Sequence, residues 1–235
     1  MDSKDQSVVD SFNAAVKESE VFLSIARDAQ LQKAASLKLG MVLEDVSKEK
    51  KVAILSEDEN YANILLGCEC VLRALIAEIK MWILLKQENP DEAWDQLIIA
   101  QMGSVAASRA HNGFSHLEHH FKRLEAIEQL VFPPQVFFSA GLLIKSQKCS
   151  ICGMEYEDCE HLIGKPYMGE FCCVVAGEVA LDHVSVVGCP ADKRCRVTSF
   201  NEEGGARNRM TWKLEPSKDK IENNNQCTGI VLRAD

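Results

Sequence analysis

Over roughly the first 132 residues apolar side chains recur every three or four positions, and glycine and proline are almost absent, which is the helical period. The pattern predicts an all-helical region with helices over about 7–28, 30–54, 91–110 and 114–131, plus one that follows Ser56. Two starts carry cap chemistry. Ser56-Glu57-Asp58-Glu59 has capping-box spacing, and Asn89-Pro90-Asp91-Glu92 places proline at the first helical position behind an Asn cap. The helix after Ser56 carries Leu65, Leu66, Leu72, Leu75, Ile76, Ile79, Trp82 and Ile83, apolar on more than one face, so it is expected at the centre of the bundle. Asn112-Gly113 separates the last two helices, and Pro133-Pro134 ends the region.

Beyond residue 171 the texture changes to short alternations of Val, Thr and Cys, at Cys172–Val175, His183–Val187 and Arg196–Thr198, which predict short strands. The expected fold class is therefore mainly α, with an N-terminal helical bundle over 1–140 and a small zinc-stabilised α+β module over 141–200. Residues 201–235 read as a C-terminal extension of short strand and polar loop that includes Asn223-Asn224-Asn225.

The chain has 235 residues, 46% hydrophobic and 26% charged, enough for a real core. Its net charge of -9 opposes broad electrostatic attraction to nucleic acid or anionic membrane. The acidity is mostly N-terminal: residues 1–140 hold 21 acidic and 14 basic side chains, so a local basic patch is still open to the C-terminal part. The longest apolar stretch, Ile64–Leu85, is interrupted by Glu69, Arg73, Glu78 and Lys80 and reads as a buried helix, not a membrane span. The polar start, Met1–Gln6, lacks the features of a signal peptide. Eight of the ten cysteines follow residue 148, several at ligand spacing instead of spread as loop-closing pairs, so a reducing, cytoplasmic setting is expected.

Those cysteines hold the clearest chemistry. Cys149-Ser-Ile-Cys152-Gly153 is a thiolate pair on one tight turn, and Cys159-Glu-His161 adds a third thiolate and an imidazole. Cys149, Cys152, Cys159 and His161 together match a tetrahedral, structural Zn²⁺ site with no open position for water. Cys172 and Cys173 compete for the fourth place should His161 face solvent, and a redox Cys-x-x-Cys pair is the rival chemistry. Cys189, Cys195 and Cys227 have no comparable spacing and are assigned to packing.

The order Cys149-Ser-Ile-Cys-Gly, Asp158-Cys-Glu-His161, Gly164-Lys-Pro-Tyr-Met-Gly169 and His183-Val-Ser-Val-Val-Gly-Cys-Pro-Ala191 resembles a cysteine-rich segment of tailed-phage prohead protease and head-morphogenesis proteins. The similarity covers residues 148–198 and does not reach the helical part. The His and Ser of that family's proteolysis have no matching positions here, so the resemblance implies a zinc knuckle without protease activity.

Three further patterns bear on function. His111, His116, His119 and His120 crowd one stretch, and His116 and His120, four apart, would share a helix face able to hold a second metal; the His-Glu-x-x-His order of zinc proteases is absent. Asp182-His183-Val184-Ser185 holds the residue types of a triad, but strand alternation is expected to separate Asp182 from His183. Lys193-Arg194-Cys195-Arg196 and Arg207-Asn208-Arg209 are basic clusters able to meet phosphates, without interleaved aromatic residues. No Gly-rich phosphate loop is present. The expectation is a non-enzymatic subunit or adaptor of a larger bacterial or phage-related assembly, meeting a protein partner or a copy of itself through the helical domain. The rivals are a nucleic-acid-contacting subunit and a metal-dependent hydrolase at His116 and His120.

Overall fold

A computed structural model describes residues 3–216, with side chains from residue 7. Asn223–Asn225, Cys227 and the part of the expected C-terminal extension past 216 lie outside the described residues. Five helices come first: α1 (Ser3–Ser19), α2 (Ala29–Leu55), α3 (Glu59–Lys86), α4 (Pro90–Ala110) and α5 (Glu118–Val131). Nine short strands follow: β1 (Phe137–Ile144), β2 (Gln147–Cys149), β3 (Pro166–Tyr167), β4 (Glu170–Phe171), β5 (Val174–Ala176), β6 (Val179–Val187), β7 (Ser199–Glu202), β8 (Gly205–Asn208) and β9 (Leu214–Glu215). The architecture is the expected helical bundle followed by small antiparallel sheets that carry a Cys/His cluster.

The helix after Ser56 is the central one. Of the 28 residues of α3, 17 are buried, because apolar side chains occupy most of its circumference and each face needs cover. One core cluster joins its N-terminal half to α1 and α2 through Leu39, Val46, Leu65, Leu72 and Phe114. A second joins its C-terminal half to α4 and α5 through Met81, Trp82, Trp94, Leu97 and Leu124. Gly67 shapes the first: a Cβ there would sit 2.1 Å from the Phe114 ring, so the missing side chain is the space that the ring fills.

The helix ends correct two cap assignments and one helix length. Ser56 does not cap α3; it closes α2, its hydroxyl donating to the Ala53 carbonyl (3.0 Å). Glu57 then turns left-handed (φ 58°) and the Asp58 N–H reaches back to the Ala53 carbonyl (3.0 Å), a Schellman closure that uses up the residues a capping box would need. Asp58 becomes the cap, accepting from the Tyr61 N–H (3.0 Å). The same turn recurs after α3, where Glu88 is left-handed and Asn89 N–H bonds to Leu84 O, and the Asn89 side chain makes no cap bond although Pro90 does open α4. The helix expected to run to residue 28 stops at Ser19. A short 3₁₀ turn follows, held by buried Gln32, which donates to the carbonyls of Phe22 (2.8 Å) and Ser24 (2.9 Å).

Beyond the helices the chain forms a long two-stranded ribbon. β1 pairs with β6, and β2 with β5, both antiparallel. Between the two ladders Lys145 N–H donates to Glu178 O and Gly177 N–H to Ser146 O, so pairing continues from Phe137 to Cys149. At about 3.3 Å per residue this ribbon is about 40 Å long, matching the roughly 40 Å of α3. Its root is anchored at the C-terminal end of α3, where Phe137 and Val187 pack with Met81, Trp82 and Trp94. Its far end reaches the N-terminal end of α3, where the β3–β4 hairpin docks: Gly169 N–H donates to Asn63 Oδ1 (2.8 Å) and Gly169 O accepts from Lys50 Nζ (3.1 Å). Gly169 is left-handed (φ 78°), and a Cβ there would press on Lys50 and Ala62 at 3.3–3.4 Å. Of the expected strands, His183–Val187 lies within β6 and Cys172–Val175 overlaps β5 only from Val174, whereas Arg196–Thr198 leads into β7.

A carboxylate is buried within α3. Glu78 is wholly inaccessible, yet Arg123 Nη2 donates to its Oε1 at 2.6 Å, Trp82 Nε1 donates at 3.3 Å and His120 Nε2 lies 3.3 Å from Oε2. Burial pushes its pKa up, but His120 alongside and the Arg123 guanidinium bonded to it outweigh that and hold it below the ordinary carboxylate value. A lowered native pKa means the charged form stabilises the fold fully above the unfolded-state value and loses that effect as pH falls through the native one. We expect Glu78→Ala to cost about 3 kcal/mol at neutral pH, since it strands buried donors. In denaturant titrations the gap to wild type should shrink as pH drops below the ordinary carboxylate range.

Candidate metal centre

The turn after β2 builds the first half of the centre. Gly153 is left-handed (φ 72°), its N–H bonds to the Cys149 carbonyl (2.9 Å), and Cys149 N–H bonds to Met154 O (2.9 Å), closing the knuckle that brings Cys149 and Cys152 to one side. A single 3₁₀ turn over Tyr156–Asp158 then returns the chain, and Cys159 and His161 face the first pair. The ligating atoms of Cys149, Cys152, Cys159 and His161 all lie within 4.8 Å of one another, and among the described residues no other group of three or more His, Cys, Asp or Glu side chains is gathered in this way.

The surroundings suit thiolates. The Ile151 N–H points at Cys149 Sγ (3.4 Å) and the His161 N–H at Cys159 Sγ (3.2 Å). Burial alone would raise the Cys149 pKa, yet the backbone N–H groups of Cys152 and Ile151 and the thiols of Cys159 and Cys152 bring it down to about 6. Its partner is pushed the other way: burial and the neighbouring thiols raise Cys159 to about 11, because several negative sulfurs cannot share one site without a cation. A divalent ion removes that conflict. Three sulfurs and one imidazole nitrogen, with no carboxylate among them, fit a soft tetrahedral metal such as zinc, whose Zn–S distance of about 2.3 Å sets sulfurs about 3.8 Å apart. His161 is further oriented by Tyr167, edge-on at 4.6 Å between ring centroids, while the Tyr167 hydroxyl accepts from the Leu162 N–H (3.0 Å). Nothing in the sequence spacing pointed to Tyr167, which reaches the site through the β3–β4 hairpin.

Cys172 comes to 3.8 Å of Cys149, sulfur to sulfur, but lies outside the set of four and is fully buried, so burial and the Cys149 sulfur raise its pKa. Cys173 is exposed, and its backbone N–H bonds to Ser150 Oγ (2.9 Å). A cleft of about 540 Å³ separates the knuckle from α4, walled by Met102, Val105, Arg109, Ile163 and Phe171, with Cys172 on its lining.

The histidine stretch is not brought together as a metal site. His116 falls in a 3₁₀ turn (Asn112–Leu117), not in α5, so the four-residue spacing does not make a shared helix face. His111 Nδ1 accepts from Gly113 N–H (3.1 Å), His116 Nδ1 lies 3.1 Å from Gly113 O, and His120 lies against Glu78. At Asp182-His183 the expected separation is wrong: Asp182 is the extra residue of a bulge in β6, opposite the Gly141–Leu142 step of β1, which breaks the alternation, and His183 Nδ1 lies 3.0 Å from Asp182 Oδ2. Both are exposed, and no Ser185–His183 bond accompanies them among the described residues.

The basic clusters are turned to internal partners. Lys193 pairs with Glu128 (2.8 Å), Arg194 with Asp192 (2.6 Å) and buried Arg196 with Asp91 (2.6 Å). Arg207 pairs with Glu202 and Arg209 donates to Pro134 O (2.9 Å). Trp94 Nε1 donates to Lys193 O (3.0 Å), and the Arg196 guanidinium lies 5.7 Å from the Trp94 ring centre, so this segment is a clamp on α4.

Comparison with protein-family models, with curated proteins and with solved structures gives no match. No described helix is long and apolar enough to cross a membrane.

We expect about one zinc per chain by elemental analysis. Cys152→Ser, at an exposed position, and His161→Ala should each weaken retention against a competing chelator by at least tenfold, whereas Cys172→Ala should leave the stoichiometry unchanged. Chelation should leave most of the helical circular dichroism intact, because the first core cluster is built entirely from the helical region. Protease sensitivity should appear between residues 145 and 175; a loss of helical signal would show that the bundle depends on the metal.

Proposed function

We propose that the protein is a non-enzymatic, zinc-stabilised adaptor in a larger protein assembly, docking through its helical region. The observation that carries this is an exposed apolar stripe on α2: Leu37, Met41, Val52 and Leu55 all lie exposed. At 100° per residue they fall within about 60° of one another on the helix. The opposite stripe of the same helix, Leu39, Val42 and Val46, packs into the core, so α2 is apolar on two sides and only one is covered. Exposed Glu44 and Lys48 lie between Met41 and Val52 on this face, so it presents two short apolar patches with charge between them, and exposed apolar surface of this kind marks an interaction surface. Four ligands from the protein leave the metal no open position for substrate, which supports a structural role.

The pairing of Lys193, Arg194, Arg196 and Arg207 with internal acids weighs against the nucleic-acid reading, since those charges already have partners. The scattering of His111, His116 and His120 weighs against the hydrolase. The resemblance of residues 148–198 to the cysteine-rich segment of phage head-morphogenesis proteins supports a phage-related or antiviral-defence setting in the bacterial cytoplasm.

The test is co-purification from the native host. Met41→Glu combined with Leu55→Glu should abolish capture of the partner while the circular dichroism and melting temperature stay at wild-type values. Arg194→Ala with Arg207→Ala removes the pairs with Asp192 and Glu202 and the Arg207 bond to the Trp212 carbonyl but leaves the α2 face untouched, so capture should persist. Capture lost in the arginine variant together with salt-sensitive nucleic-acid binding by wild type would replace the adaptor reading with the nucleic-acid one.

A further inference from the structure

The β1–β6 half of the ribbon has one face made wholly of apolar side chains. Residues directly opposite in an antiparallel pair share a face, and alternate residues along a strand share it too. Phe138↔Val186, Ala140↔Val184, Leu142↔Leu181 and Ile144↔Val179 are therefore on one side. The bulge keeps them there. Without the extra residue at Asp182, Leu181 and Val179 would fall on the opposite side from Val184 and Val186; the bulge resets the phase and leaves Asp182 outside the alternation. The other face is mixed, with Ser139, Ser185 and His183, whose ring lies over Gly141, between an exposed Leu143–Ala180 pair at the far end and the root pair Phe137 and Val187, which packs into the core.

The apolar face is open. Leu142, Ile144, Val179, Leu181, Val184 and Val186 retain between 36% and 69% of their accessible surface. Two strands without a covering layer are marginal in water, whereas a hydrophobic face packed on a second layer is stable. We propose that a second copy of this chain covers this face, so that two ribbons stack face to face about a two-fold axis as a four-stranded sandwich.

Two observations favour a copy over a different partner. The face carries no charge or hydrogen-bonding side chain, and Lys145 and Glu178 at its far end pair with each other. A uniformly apolar face is its own complement, which is the requirement of an isologous two-fold contact. A partner bearing charge would have to desolvate it with nothing opposite. Covered completely, these six residues would bury at most about 550 Å² per copy and about 1,100 Å² per pair, at the low end of the range of specific interfaces. Sheets stacked in this way pack about 10 Å apart, a spacing that Leu, Val and Ile side chains fill. The inference does not rest on the adaptor reading, whose stripe lies on α2, and it requires no metal.

The experiment is sedimentation equilibrium of the full chain with zinc from about 1 to 100 µM, combined with hydrogen exchange of residues 179–187 at both ends of that range. We expect a dimer whose ribbon amides gain protection as concentration rises. Leu181→Glu with Val186→Glu should weaken association at least 100-fold, and the uncharged Leu181→Ala with Val186→Ala about tenfold or more, both with unchanged circular dichroism. A wild-type chain that is monomeric throughout overturns the proposal, as does a dimer that neither variant weakens. So does a monomer whose ribbon is already protected and loses that protection on truncation after Pro216, which would assign the face to residues 217–235.

Discussion

The rest of the molecule is arranged to cover α3. A helix with apolar side chains over most of its circumference cannot face water on any side, and the chain supplies cover in sequence: α1 and α2 over the N-terminal half, α4 and α5 over the C-terminal half, and the root of the ribbon at the far end. Two charges are carried inside this arrangement, each neutralised where it sits. Glu78 takes bonds from Arg123 and Trp82 with His120 alongside, and Glu69 accepts from Ser47 (2.7 Å) and Lys50 (3.0 Å). Lys50 also holds the Gly169 carbonyl, so one ammonium links a buried acid of the bundle to the hairpin of the cysteine-rich part.

The two regions therefore meet at both ends of α3. At one end the clamp is apolar and cationic, with Phe137 beside Trp94 and Arg196 held by Asp91; at the other it is a tight turn hydrogen-bonded to Asn63 and Lys50. Between these points the ribbon has little to pack on, as the exposure of its apolar face shows. A metal at Cys149, Cys152, Cys159 and His161 would tie the far end, where strands of two or three residues have too little buried surface to hold a shape without a cross-link. Strand pairing, knuckle and hairpin docking thus support one another across a segment that has no core of its own.

Much of this was legible in the sequence, and each part for a local reason. The helical period of 3.6 places the helices, the all-round apolarity of Leu65–Ile83 puts α3 in the centre, and Cys-x-x-Cys-Gly with Cys-x-His thirteen residues from first ligand to last puts four donors within reach of one ion. These signals depend only on near neighbours in the chain. The strand β1 was missed because Phe137–Ile144 follows Pro133-Pro134 as a short mixed run without clean alternation, and its partner lies some 40 residues away.

What the tertiary structure alone decided follows from contacts between distant residues. Whether Ser56 or Asp58 caps α3 depended on how α2 closed, and whether His116 and His120 share a face depended on a 3₁₀ turn whose Phe114 packs edge-on against Phe12. The basic residues near 194 and 207 read as free charge in the sequence, but folding brings Glu128, Asp91 and Glu202 against their neighbours and themselves, and opposite charges at hydrogen-bond distance no longer offer themselves to a phosphate. Spacing along the chain determined which groups could meet one metal, because a turn of a few residues has few shapes. Which side of the ribbon is apolar was settled by a single bulge, because one extra residue inverts every side chain beyond it and only the pairing partner shows where that residue is.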